Sequence, residues 1–300
     1  MPDLSRIGSR RVVASVSGGK DSAALSLWLT EQGIKHDRIF LDTGWEHPDT
    51  YAYLRGPLTE ALGAITELRA SLGFADLARK KRMFPCRTKR FCTQFLKVFP
   101  AQAHLNQLVE QGHDVVNAVG IRASESQARS RLPEWEWSDG FDCEVWRPLL
   151  AWSEQDVIEC HRRHGLAPNP LYLRGHSRVG CYPCVFANKR ELRLIAENDP
   201  WKIDEIRALE EEIRGISKSG RPSMFSLRKT INVLQAEHES DDCDEDVKYS
   251  MQPKEVHVPT GIDEVLEWAR TERGGRQCMF FQDAPDAGCM RWGLCETEAP

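Results

Sequence analysis

The chain has 300 residues, 41% of them hydrophobic and 28% charged, with a net charge of −5. This suits one large domain, or one of roughly 200 residues with a smaller appendage, and the negative balance excludes a protein whose whole surface coats nucleic acid. No apolar run reaches the roughly 18 residues of a membrane span and the N-terminus carries no apolar signal region, so a cytoplasmic protein without membrane contact is expected. Ten cysteines in that compartment read as metal or redox ligands rather than disulfides.

In chain order, Val12-Val13-Ala14 is an apolar strand, Ser15 to Ser22 turns through two glycines, and Ala23 to Leu29 continues as a helix. A strand that turns through Gly18 and Gly19 into a helix aims unpaired N–H groups at one point, which is a phosphate site. Lys20 adds charge, Ser17 and Ser22 add hydroxyls, and Asp21 stands beside any Mg²⁺ that arrives with the phosphates. The spacing differs from Gly-x4-Gly-Lys-Ser/Thr, which excludes the common nucleotide-triphosphatase loop. An unliganded Gly-Gly turn is the structural alternative.

A second strand runs from Arg38 to Asp42-Thr43-Gly44, and Pro48 opens a helix behind it. Ile65 to Leu68, Val115 to Ile121 and Val145 to Leu150 read as the third, fourth and fifth strands. Ser153 then caps a helix, with Asp156 three residues on. Strands alternating with helices predict a doubly wound parallel α/β sheet. Ligands of such sheets bind beyond the carboxyl ends of the strands, so residues 17–22, 42–44, 122–125 and Arg147 should converge on one crevice. Arg190 to Arg214 reads as a surface helix pair, residues 215–259 as a partly disordered linker, and Ile262 to Arg270 as an amphipathic helix. We therefore divide the chain into a nucleotide-binding domain, 1–190, and an α-rich extension, 191–300, with a cysteine-rich tail. The basic run from Arg79 to Arg90 is either a solvated face or a track for a nucleic-acid backbone, and Trp135, Trp137 and Trp152 either stack bases or fill the core.

Ser17-Gly18-Gly19-Lys20-Asp21-Ser22 resembles the SGGKDS pyrophosphate loop (PP-loop) of the N-type ATP pyrophosphatases and sulfonucleotide reductases. Asp42 to Thr50 is similar to the reductases' D-T-G-x-x-F-P-E-T signature, with His47 where Phe is usual. Gly120 to Arg129 resembles their G-x-R-x-x-E-S-x-x-R segment, and Arg147-Pro148-Leu149 with Trp152 and Asp156 resembles R-P-L-x-x-W-x-x-x-D-V. Asn169-Pro170-Leu171-Tyr172 and Gly180-Cys181-Tyr182-Pro183-Cys184 match the N-P-L-Y and G-C-x-P-C run of the iron–sulfur reductases and related sulfur-transfer pyrophosphatases. The likeness covers most of residues 10–190 and implies the adenine nucleotide alpha-hydrolase-like fold. It implies ATP or another adenine nucleotide, with Mg²⁺, on Ser15, Ser17, Gly18, Gly19, Lys20, Asp21 and Ser22. Asp42, Thr43 and Gly44 would meet the adenosine. Gly120, Arg122 and Arg129 would clamp an anion, with Glu125 orienting one guanidinium and Arg147 pointing at the nucleotide.

The same resemblance implies a [4Fe–4S] cluster on Cys181 and Cys184, where zinc or a plain redox pair are the alternatives. The reductases add a tandem Cys-Cys pair upstream, of which this chain keeps Cys92 in Cys92-Thr93-Gln94-Phe95-Leu96-Lys97. For the fourth ligand we favour Cys295, then Cys289, with Cys278, Cys86 or an open iron as alternatives. Cys143, Cys160 and Cys243 read as isolated thiols. The reductases' nucleophilic cysteine sits in E-C-G-x-H, whereas this tail reads Gly293-Leu294-Cys295-Glu296. The pattern at Cys92 also looks like the DNA phosphorothioation pyrophosphatases and their phage and bacterial relatives. The expectation is an iron–sulfur ATP pyrophosphatase in which Lys20, Asp21 and Arg122 are catalytic. It adenylates an acceptor, nucleic acid among the candidates, for sulfur from a donor such as a cysteine desulfurase. A thiol-dependent reductase of adenylylated sulfate and a nucleotide-sensing module without turnover are the alternatives.

Overall fold

Short apolar runs build a six-stranded sheet whose order reverses at its centre. Strands β1 (Arg11–Ser15), β2 (His36–Asp42), β3 (Thr66–Arg69), β4 (Val115–Ala118), β5 (Trp135–Ser138) and β6 (Cys143–Trp146) lie in the order β3-β2-β1-β4-β6-β5. All neighbours are parallel except β5, which runs antiparallel to β6 at the edge. Val12, Val13 and Ala14 of β1 are buried on both faces, as a parallel strand between helical layers requires. The computed structural model describes residues 2–86, 88–217, 222–237, 248–271 and Trp292.

Helix α1 (Lys20–Glu31) returns the chain from β1 to β2. Between β2 and β3 come α2 (Pro48–Tyr53), a π-helical turn over Leu54–Leu58 and α3 (Thr59–Leu62). Helices α4 (Phe74–Lys81), α5 (Phe91–Thr93) and α6 (Phe99–Glu110) carry the chain to β4 on the far side of β1. The loops after β1 and β4 therefore open at the switch point, where a crevice forms without further design. Helix α7 (Glu154–Arg163) starts at the capping box that Ser153 and Asp156 announce, with Asp156 N–H donating to Ser153 Oγ at 3.1 Å. Helix α8 (Pro170–Leu173) follows it.

The extension differs from its sequence reading in two ways. Helices α9 (Lys189–Asn198) and α10 (Pro200–Ile216) form the expected pair, but they are not surface helices. Leu192, Ile195, Ile203, Ile206, Leu209 and Ile213 are buried in one cluster with Trp45, Phe74 and Leu77 of the α/β layer and with Val265 of α11 (Ile262–Arg270). Charges outnumber these apolar positions in the sequence, yet their helical spacing defines a buried stripe. Nor is 215–259 a linker throughout: β7 (Phe225–Glu237) and β8 (Lys248–Thr260) pair as an antiparallel ribbon, with Phe225 opposite Thr260 and Glu237 opposite Lys248. Pro253 and Pro259 argued against strands there, but each strand of a two-stranded ribbon keeps one unpaired edge where proline is tolerated. The buried Glu210 carboxylate ties ribbon to helix, accepting N–H bonds from Met224 at 2.9 Å and Ile262 at 2.8 Å. Among the described residues no helix is long and apolar enough to cross a membrane.

Close packing at the switch point makes one prediction. A Cβ on Gly120 would lie 2.8 Å from the Asp21 carbonyl oxygen, whereas one on Gly56 would meet nothing within 4 Å. Gly120→Ala should destabilise by about 1–3 kcal/mol through this overlap, and helical Gly56→Ala should be neutral or stabilise by up to about 1 kcal/mol. Thermal unfolding of the two variants checks this. Equal midpoints would mean that the contact relaxes.

Candidate functional site

An open cleft of ≈ 940 Å³ at the switch point is lined by the phosphate loop, the Arg122–Arg129 segment and the Cys181–Cys184 turn. Gly18 takes φ +74°, and a Cβ there would press on Thr50 at 3.0 Å, so this turn needs glycine. Asn169 Nδ2 donates to the Gly18 carbonyl at 3.3 Å. Tyr172, from the same N-P-L-Y run, accepts the Lys20 N–H on its hydroxyl at 3.1 Å, and His161 Nε2 donates to the Lys20 carbonyl at 2.9 Å. Burial lowers the His161 pKa and keeps it neutral, and among the described residues its buried Nδ1 has no hydrogen-bond partner of normal geometry. The Ser17 N–H is also used, donating to Ser22 Oγ at 3.0 Å. Asp21 and Ser22, at the start of α1, have no intrahelical acceptor for their N–H groups, which suits them to an anion.

A chain of charges, of which Lys20 and Arg122 are buried, crosses the cleft floor. Lys20 Nζ lies 3.3 Å from Asp21 Oδ2 and 3.3 Å from Glu154 Oε1, above the Tyr172 ring. Asp21 Oδ1 accepts from Arg122 Nε, whose Nη1 donates to Ser124 Oγ at 2.9 Å. Glu125 accepts the Arg122 main-chain N–H at 2.9 Å and pairs with Arg129, so Arg129 is the guanidinium that it orients. Each oxygen of Asp21 thus faces a cation. Asp21 suits Mg²⁺ once Lys20 or Arg122 turns to incoming phosphates. Glu154 is absent from the sequence reading, although its place after the Ser153 cap brings it to this face.

Other expected residues serve the framework. Ser15 ends β1 beneath the loop. The Asp42 carboxylate accepts from Gly44 N–H at 2.8 Å and Tyr51 Oη at 2.6 Å, shaping the turn in which Gly44 takes φ +65°. Thr43 is buried and donates to Glu46 at 2.9 Å. Arg147 does not point at the nucleotide site: it donates to the Pro133 carbonyl at 2.9 Å and to Glu136 at 2.6 Å. The cause is β5, an edge strand absent from the sequence reading, whose Glu136 offers the nearer acceptor. Trp135 stacks on Trp146 at 5.1 Å and Trp152 packs on Trp28, so both are core rather than base platforms. In the basic run Arg79 pairs with Asp76 and Glu212 and Lys81 sits over Phe95, while Arg90 lines the cleft. Arg87 lies outside the described residues.

The cysteine turn is docked through main chain. Tyr182 N–H donates to the Trp45 carbonyl at 2.7 Å and Trp45 Nε1 returns a bond to the Pro183 carbonyl at 3.2 Å. Tyr182 Oη donates to Asp199 at 2.6 Å, and the other Asp199 oxygen accepts from His47 Nε2 at 3.2 Å, which explains a histidine where phenylalanine is usual. Its Nδ1 accepts from Asp49 N–H and caps α2. Cys181 lies 3.7 Å from the Thr43 hydroxyl, and burial pushes its pKa up to about 12. Burial also raises Cys92, which packs in the same cluster as Cys181. Lys97, nearly buried on the cleft wall, has its pKa raised first by Cys181 and further by Glu46, Cys184 and Cys92. Burial that holds thiols protonated is reversed by a bound metal, and Lys97 balances the thiolate charge, so Cys92, Cys181 and Cys184 are the residues that could hold a metal or an iron–sulfur cluster. Cys243, Cys278, Cys289 and Cys295 lie outside the described residues. Cys86 is half-buried, 3.4 Å from the Thr88 hydroxyl, and Cys143 and Cys160 are buried as expected. Lys97, Asn169, Tyr172 and His161 are missing from the residues expected from sequence, although Asn169 and Tyr172 stand in a motif quoted there.

Residues 11–187 match the family model of the phosphoadenosine phosphosulfate reductase domain. Over 347 aligned positions the chain is 31% identical to an uncharacterized 37.8 kDa protein of Escherichia phage 186, covering 95% of this chain and 96% of that protein. It is 30% identical over 152 residues to an adenosine 5′-phosphosulfate reductase of Rhodococcus opacus (strain B4), covering 50% of this chain but 58% of the reductase. A solved phosphoadenylyl-sulfate (PAPS) reductase from Candida auris aligns with a TM-score of 0.46 and 20% identity, over 58% of this chain and 82% of that one. With the family match covering more than half of the residues, the chain belongs to the phosphoadenosine phosphosulfate reductase domain family.

Proposed function

We propose that the protein is an ATP pyrophosphatase that activates an acceptor for sulfur transfer. The observation that carries this reading is the sharing of one cleft by the phosphate loop and the Cys181–Cys184 turn. ATP lies with its phosphates on residues 17–22. An acceptor oxygen attacks the α-phosphorus, the bond to the β-phosphate oxygen breaks, and pyrophosphate leaves. Lys20 and Arg122 turn from Asp21 to the phosphates and stabilise the charge that develops on them, and Asp21 then holds Mg²⁺. In the second step the terminal sulfur of a persulfide, carried by a donor such as a cysteine desulfurase, attacks the adenylated centre and AMP leaves with the oxygen. An external thiol then cleaves the S–S bond to the donor, leaving the sulfur on the acceptor and the donor thiol oxidised as a mixed disulfide. Cys92, Cys181, Cys184 and Cys295 would hold a [4Fe–4S] cluster, and an iron would bind sulfur directly only where the fourth position is left open instead of taken by Cys295. Arg90 and Arg129 on the cleft wall favour an anionic acceptor such as a nucleic-acid strand.

The likeness to the Rhodococcus opacus adenosine 5′-phosphosulfate reductase favours a second reading, thiol-dependent reduction of adenylylated sulfate. One experiment separates them: the anaerobically purified protein is given ATP and Mg²⁺ with candidate acceptors, and adenylylated sulfate with thioredoxin. Acceptor-dependent pyrophosphate release supports the first reading and sulfite release the second. Nucleotide binding without either product would reduce the protein to a sensing module.

Lys20→Ala and Asp21→Ala should each lower turnover by about 10²-fold or more while the protein stays folded. Unchanged pyrophosphate release in either would remove the loop from the mechanism. Arg122→Ala should weaken nucleotide binding by about 1.5–3 kcal/mol, read by calorimetry. An unaltered affinity would show that Arg122 stays on Asp21 when nucleotide binds.

Iron analysis tests the cysteines. Cys181→Ser and Cys184→Ser should lose the iron, Cys92→Ser and Cys295→Ser should retain a labile part of it, and buried Cys143→Ser should keep it all. Full retention in Cys295→Ser would move the fourth position to Cys86, Cys278, Cys289 or an open iron. Zinc in place of iron would refute the cluster.

A further inference from the structure

Trp292 is 3% exposed, and the described residues it touches are all more than a hundred residues away in sequence. Its ring meets His161 edge-on at 5.2 Å and Tyr172 at 5.8 Å, and Ile158 and Val179 complete the cluster. Its carbonyl accepts two bonds from Arg162, from Nε at 3.2 Å and Nη2 at 2.8 Å. The two ring partners are not ordinary core residues. Tyr172 holds the N–H of Lys20 and His161 holds its carbonyl, so both peptide groups of the phosphate-loop lysine are fixed by side chains that Trp292 covers. Among the described residues His161 Nδ1 has no hydrogen-bond partner of normal geometry, so the ring is held by its bond to Lys20, by the Leu166 main chain and by packing against Trp292.

We propose that Trp292 is a positioning residue for the phosphate loop. Trp292 lies behind the loop, tied to α7 by Arg162. It fixes the rings of His161 and Tyr172 and thereby the orientation of the Lys20 peptide, on which the direction of Lys20 and of the Asp21 and Ser22 N–H groups depends. Because loop geometry and the Trp292 contact share these two rings, nucleotide binding and that contact strengthen each other by the same factor. The inference rests on the reading that the loop takes the phosphates of an adenine nucleotide, but its first test does not.

That test is amide hydrogen exchange at Lys20 in the full-length protein without nucleotide. Trp292→Ala should speed exchange of the Lys20 amide, as the direct control Tyr172→Phe does, while β4 and α6 amides keep their protection. Trp292→Phe, which keeps an aromatic ring, should restore most of the difference. With ATP and Mg²⁺ added, Trp292→Ala should bind about three- to tenfold more weakly, the range for losing one or two aromatic contacts. Unchanged Lys20 exchange in Trp292→Ala, or an equal loss of protection in β4 and α6, would overturn the proposal. If Trp292→Ala does not fold, Trp292→Leu fills the space without a ring and is read in the same way. Failure of the wild type to bind ATP would sink the nucleotide reading, and the exchange result would still decide the role of Trp292.

Discussion

The cleft depends on the Asp21 carboxylate between two buried cations. Lys20 follows β1 and Arg122 follows β4, both are almost fully buried, and two cations held on one carboxylate repel in a medium less polar than water. Asp21 gives one oxygen to each, and Glu154 adds a second counter-charge for Lys20. Buried charge of this kind contributes little net stability, because desolvation offsets the attraction, but removing one partner is costly. The arrangement is therefore better understood as a preformed receptor. In the proposed function, phosphate oxygens entering the cleft would supply the negative charge that Asp21 supplies in the free protein. The glycines follow from this demand: Gly120 lets the β4 loop pass against the Asp21 main chain, and Gly18 lets the loop turn against Thr50.

The cysteine turn obeys a different constraint. It stands on reciprocal bonds with Trp45 and on the Tyr182–Asp199 contact, and Asp199 lies where α9 hands over to α10. Those helices share a core with Phe74 and Leu77, so the extension is the support on which the turn rests rather than an appendage. Lys202, one turn further along α10, places its ammonium 3.4 Å from the Trp45 ring centre. His47 reaches Asp199 on one side and caps α2 on the other, joining the helix after the Asp42 turn to the cysteine turn. One carboxylate thereby connects the helix after the Asp42 turn to the cysteine turn.

Much was legible in the sequence because local patterns carry it. The apolar runs at β1, β2, β4 and β6, the Gly18-Gly19 turn, the Ser153 cap and the span of α11 are set by side chains a few residues apart, and the structure places them where those patterns put them. The meeting of Lys20, Asp21, Arg122, Glu125 and Arg129 follows from the rule that ligands bind where strand order reverses, and that rule needs only the order of elements. Where each charge is directed was decided by tertiary structure. Arg147 turns to Glu136 because an edge strand pairs beside it, and Asp42 turns to Gly44 and Tyr51 because the turn must be held. Glu154, His161 and Tyr172 reach Lys20 from more than 130 residues away. The ribbon and the buried face of α9 and α10 belong to the same class, since a strand is stabilised by its partner and a stripe by the surface it covers. Sequence alone determined the inventory of chemical groups and the crevice they share; the pairing of those groups required the fold, because a charge is directed by its nearest partner in space and not by its neighbours in the chain.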